Sequence, residues 1–132
     1  MSVAVDATQR DGSILNTSAA TANQVITTTT TVDDQAYAIV ARVYGVSTDN
    51  FDEAFFYEMK ACFLNDGGTL AQVGATATTV NIETVNATPS LAATGSNIEV
   101  RITPADSTPI TWRADIEIQA IQQYIANGGY AK

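Results

Sequence analysis

The stretch that decides the fold is Pro109-Ile-Thr-Trp-Arg-Ala-Asp-Ile-Glu-Ile-Gln-Ala-Ile121. Apolar and polar residues alternate along it. Trp112, Ala114, Ile116, Ile118 and Ala120 fall on one side, and Thr111, Arg113, Asp115, Glu117 and Gln119 on the other. A period of two is the signature of a strand with one buried face. Trp112 and the isoleucines are therefore expected in a core. Arg113, Asp115 and Glu117 form a charged stripe, either a wet face or a set of ion pairs at a symmetric protein contact.

Working outward, most of the chain has the same period. Residues 24–32 (QVITTTTTV) are rich in β-branched side chains, which suit a pleated sheet. Residues 36–46 (AYAIVARVYGV) are apolar on both faces except for Arg42, as in a central strand. In 53–65, Phe55, Tyr57, Met59, Ala61 and Phe63 share one side, with Glu58 and Lys60 on the other. Asn65-Asp66-Gly67-Gly68 then reads as a hairpin turn, because these residues tolerate positive φ. Residues 69–76 and 78–85 read as two successive strands. Residues 91–94 and 97–103 flank a second hairpin at Gly95-Ser96, and 104–109 is a loop between two prolines. Seven or eight strands at this spacing predict an all-β protein: an antiparallel β-sandwich, jelly-roll-like, over residues 23–120.

Residues 1–22 and 121–132 read as N- and C-terminal arms. They hold Val3, Val5, Ile14, Leu15, Tyr124, Ile125 and Tyr130, apolar groups that a free tail would leave in water. These arms are expected to pack on their own sandwich or on a neighbouring protein. Ile121, Tyr124 and Ile125 fit either one helical turn before Asn127-Gly128-Gly129 or a docked extended tail.

Composition excludes several functions. The chain has 132 residues, fourteen acids, six bases and no histidine, for a net charge of −8. Nucleic acid and anionic membrane surfaces are poor partners for it. No segment is apolar enough for a membrane span, and the N-terminus lacks the pattern of a signal peptide. Without histidine there is no Ser-His or Cys-His arrangement and no ordinary zinc site. Cys62 is the single cysteine and is expected as a small packed residue. No phosphate-binding glycine loop opens a helix. The acid-rich segments Val32-Asp33-Asp34 and Asp49-Asn50-Phe51-Asp52-Glu53 read as solvated loops. A weak surface cation site, or hydrolysis of polysaccharide by Asp49, Asp52 or Glu53, is the sharper alternative. No cofactor and no metal is expected.

Three segments, Tyr37–Asp49, Ala54–Gly74 and Thr94–Ile118, together resemble a β-sandwich domain that recurs in virion proteins of tailed bacteriophages. Gly67, Gly68, Gly74, Thr94, Gly95, Asn97 and Trp112 carry the resemblance, which covers roughly residues 24–120. It implies a virion location and no catalytic residues. It implies either a head decoration (cement) protein, often a homotrimer that bridges subunits of the major capsid protein, or a tail-fibre module. One compact domain starting at Met1 suits decoration, with contacts expected from the arms and, beyond them, from Arg113, Asp115 and Glu117. The fibre alternative would recognise host glycan through loops 47–53 and 104–109.

Overall fold

A computed structural model describes residues 8–122, 124–125 and 129–130, and the side chains of residues 13–122. The described chain is all strand and turn, in two facing antiparallel sheets: the β-sandwich that the alternation predicts. The strands are β1 (Thr8–Thr17), β2 (Gln24–Thr30), β3 (Gln35–Ser47), β4 (Ala54–Asp66), β5 (Thr69–Glu83), β6 (Thr88–Thr94), β7 (Asn97–Thr103) and β8 (Ile110–Gln122). Two short strands, β9 (Tyr124–Ile125) and β10 (Gly129–Tyr130), pair with each other. The large sheet has five strands in the order β1-β8-β3-β4-β5, and the small sheet three in the order β2-β7-β6. The first strand pairs with β8 and the second with β7, a nested wrapping. The inner strands β3, β4 and β5 instead follow one another as hairpins.

The core lies between the sheets. Ile116, Ile118 and Trp112 of β8, Ile39 and Val43 of β3, and Tyr57, Met59 and Phe63 of β4 meet Ile98, Val100 and Ile102 of β7. Every apolar residue of the 112–120 alternation is buried. Trp112 sits at the upper end of this core. Its indole N–H donates to Thr17 Oγ1 at 2.9 Å, which satisfies a polar atom that would otherwise be lost inside. Its ring packs on Phe55 at 4.8 Å between centroids. Gly45, opposite Trp112 in the register, makes room for it: a Cβ there would lie 2.5 Å from the indole Cε3. That explains a glycine inside a central strand.

The hairpin at Gly67-Gly68 forms as expected, with φ of 62° and 88° at its two central residues. Its amides are held by the Val32-Asp33-Asp34 segment. Asp33 Oδ1 accepts from the Gly68 N–H at 2.6 Å and Asp34 Oδ1 from that of Gly67 at 3.3 Å. Those carboxylates are thus structural rather than merely solvated.

Four features differ from the sequence reading. Residues 69–76 and 78–85 are not two strands but a single one, β5, continued through two register irregularities; Gly74, at φ 75°, supplies the conformation a bulge demands. Thr8–Thr17, inside the expected N-terminal arm, is the outer strand of the large sheet, paired along β8 from Thr8↔Gln119 to Thr17↔Ile110. Among the described residues no helical turn follows Ile121: β8 continues to Gln122 and residues 124–125 are strand. Cys62 is exposed rather than packed, since it points to the outer face of the large sheet, which no layer of the described residues covers.

Candidate functional site

The connections are distributed unevenly between the two ends of the sandwich. At one end lie 18–23, 48–53 and 104–109, six residues each, and 84–87, four residues. At the other lie the two-residue turns 67–68 and 95–96 and the four-residue segment 31–34. Both ends of the paired chain also emerge at the tight-turn end, where Thr8 faces Gln119. A scaffold that collects its long loops at one pole has the layout of a loop-built binding surface.

Loops 48–53 and 104–109, separate in sequence, touch there. The Thr48 N–H donates to the Pro109 carbonyl at 3.0 Å. Ser47, fully buried at the end of β3, organises the first loop. Its Oγ accepts from the N–H groups of Asp52 and Glu53, each at 3.0 Å, and donates to Asp52 Oδ1 at 3.0 Å. Asp49 accepts from the Asn50 N–H at 2.8 Å and Asp106 from that of Thr108 at 2.9 Å. Three of the four acids here thus spend an oxygen on shaping their own loops.

Glu53 differs. Its Oε1 is buried and has no hydrogen-bond partner among the described residues. Loss of water around the carboxylate, and then the charges of Asp106, Asp52 and Asp49, push its pKa above the usual carboxylate range. Among the described residues, no group of three or more His, Cys, Asp or Glu side chains is placed to hold a metal ion.

Phe51 stands at the tip of this loop, 77% exposed, with φ of 53°. Positive φ in a bulky residue is uncommon and costs on the order of 1 kcal/mol. An aromatic ring held in water on a strained backbone is a feature of contact surfaces rather than of cores. Sequence reading marked this loop for its acids and passed over Phe51; the signal available was an aromatic residue embedded in four acid or amide neighbours.

The other predicted contact residues are dispersed. Ile14 projects from β1 into solvent, while Leu15, its neighbour, packs against the core. Arg113, Asp115 and Glu117 lie together on the outer face of the large sheet. Arg113 pairs with Asp115 at 3.3 Å, and Glu117 lies 3.6 Å from Arg42, whose Nε donates to Glu58 at 3.0 Å. A second such pair, Arg101 and Glu99 at 2.7 Å, lies on β7 in the opposite sheet. Val3 and Val5 lie outside the described residues. Tyr124, Ile125 and Tyr130 are described only as backbone of the β9–β10 pair.

Comparison with solved structures places this architecture. The tailspike protein of Acinetobacter baumannii phage AM24 contains a similar fold, with a TM-score of 0.51 at 7% identity over 92% of this chain. A tailspike protein of Acinetobacter baumannii bacteriophage Fri1, described as a capsular polysaccharide depolymerase, matches with a TM-score of 0.41 at 13% identity over 83% of this chain. The chain spans 27% of the first structure's length and 17% of the second's. No protein-family model and no curated protein sequence matches it.

Proposed function

We propose that this chain is a recognition domain of a bacteriophage tail appendage, of the fibre or tailspike kind, that presents loops 48–53 and 104–109 to a glycan on the host surface. The observation that carries the reading is the polarity of the sandwich: the start of β1 and the end of β8 at one pole, long loops with an exposed aromatic at the other. A domain attached through its chain ends would hold Phe51 and its polar neighbours outward. An aromatic face beside acids and amides suits the alternating apolar and hydroxyl surfaces of a sugar. The fold shared with part of the AM24 tailspike supports a virion setting. Binding rather than hydrolysis is the activity proposed, because Asp49, Asp52 and Asp106 are committed to loop hydrogen bonds.

Head decoration, with a homotrimer bridging major capsid protein subunits, is the competing assignment from the same fold. It gives no role to the loop pole. Copy number separates the two. Quantifying this chain against the major capsid protein in purified virions should give a small number of copies for an appendage. Hundreds of copies would overturn the appendage reading in favour of decoration. For the site, the purified domain should bind host cells or extracted surface polysaccharide, and Phe51→Ala should abolish that binding. Unchanged binding by Phe51→Ala would rule out the loop pole. Sugar release by the wild type that is lost in a D52N/E53Q double variant would instead establish hydrolysis.

A further inference from the structure

The outer face of the five-stranded sheet is the largest flat surface of the fold, and the pairing registers order its side chains into rows. Ile14, Arg113, Tyr44, Phe56 and Ile82 stand side by side across all five strands. Tyr44 and Phe56 are stacked at 5.0 Å, and Ile82 is about half exposed. The next rows bring Asp115, Arg42 and Glu58 together, then Glu117 and Lys60. Farther along, the face turns apolar again with Leu64, Val73 and Ile121, all exposed, around Cys62. Two apolar bands thus flank one charged band, on a face that nothing in the described chain covers. Exposed apolar surface of this extent marks a contact site.

We propose that this face receives the same face of a second copy of the chain. Three observations select that occupant. The first is charge. The registers assign to this face four of the chain's six bases (Arg10, Arg42, Lys60, Arg113) but only four of its fourteen acids (Glu58, Asp66, Asp115, Glu117). It is neutral on a protein of net charge −8, so two copies meet there without the repulsion that opposes contact elsewhere. The second is self-complementarity. Arg42 and Glu58 are register partners on the neighbouring strands β3 and β4, as are Tyr44 and Phe56. A twofold axis running between and parallel to these strands exchanges the members of each pair. It lays Arg42 of one copy over Glu58 of the other, and ring over ring, as an isologous contact requires. The third is area. About this axis four strands overlap, β8, β3, β4 and β5; spaced by about 4.8 Å, over about 33 Å from residue 36 to residue 46, they present roughly 630 Å². That lies at the lower end of what each partner buries in a stable interface.

The contact is twofold, unlike the threefold assembly implied by the virion resemblance. It stands on the sheet face alone and leaves the loop pole free. The test is the mass of the purified full chain by light scattering, over a dilution series. The wild type should have twice the monomer mass. Leu64→Lys and Ile82→Lys, at exposed positions on the face, should weaken association by at least about tenfold with unchanged circular dichroism. Val25→Lys, exposed on the small sheet and carrying the same added charge, should leave it unchanged. R42E and E58R should each be monomeric alone and form a mixed dimer when combined, because the mixture restores both cross-copy ion pairs. A monomeric or trimeric wild type, equal loss of association in V25K, or a mixture of R42E and E58R that stays monomeric would each overturn the proposal.

Discussion

Gly45→Ala tests the packing at the heart of the fold. The added methyl would lie 2.5 and 2.6 Å from Cε3 and Cζ3 of Trp112 and 3.1 Å from Cδ2. Ordinary carbon contacts sit near 3.5–4.0 Å, so the indole must retreat by about 1 Å. It has nowhere to go without cost. The ring is fully buried, lies against Phe55, and is tethered to Thr17 through its N–H. Overpacking of this kind costs about 3 kcal/mol, the upper part of the usual range. For 132 residues the unfolding entropy is roughly 0.28 kcal/mol/K, which converts that loss to a fall in Tm of about 10 °C. Urea unfolding followed by circular dichroism measures it directly. The double variant G45A/W112L identifies the cause. Trp112→Leu alone is costly, but it removes the atoms the methyl strikes, so the pair should be less damaging than the sum by about 2 kcal/mol. A G45A protein within about 0.5 kcal/mol of wild type, or strict additivity with W112L, would refute the argument.

Three further perturbations address the turns and the loop pole. Asp33→Ala removes the acceptor for the Gly68 amide and should lower stability by about 1 kcal/mol, read by urea unfolding; Asp33→Asn should recover most of it through the side-chain oxygen. Glu53→Gln should raise Tm at about pH 7.5 more than at about pH 4. The folded pKa of Glu53 is raised, so its penalty is absent while the group is protonated in both states and grows as pH rises through the folded pKa. An equal shift at both pH values would show that ionisation is not the cause. Phe51→Gly should hold or slightly raise stability by relieving the positive φ while removing the contact ring, so unfolding and glycan binding should separate in this variant.

Much of the fold was legible because alternation is local. The 112–120 pattern places five of the six core residues of β8 correctly, Ile110 lying just before it, and the apolar run in β3 identifies a strand flanked on both sides. Gly67-Gly68 marks its own turn because glycine fits positive φ at both central positions. What was hidden depends on pairing. β5 reads as two strands because the bulge at Gly74 resets the alternation. Cys62 reads as packed because a strand's pattern says which residues share a face, not whether a second layer covers it. The role of Gly45 required knowing that Trp112 lies opposite, although a glycine inside an apolar strand was a hint. The candidate site was legible only in pieces. Loops 47–53 and 104–109 could be marked separately, but the β3–β8 pairing is what joins them through Thr48 and Pro109. Asp33 and Asp34 looked like solvated acids because their partners, the Gly67 and Gly68 amides, are more than thirty residues away in sequence.

The pairing of β1 with β8 also sets how the domain responds to force. These antiparallel neighbours begin and end at the same pole, so a load applied between Thr8 and Gln122 pulls the two strands apart from that end. The interstrand hydrogen bonds lie along the direction of pull and break one after another, instead of sharing the load as they would in shear. Tension between Thr8 and Gln122 would therefore peel β1 away from Gln119 toward Ile110 at low force. The strands β3 and β4 and the loop pole would stay intact until that peeling was complete. A domain built this way yields first at the pole of Thr8 and Gln122 and last at the loop pole.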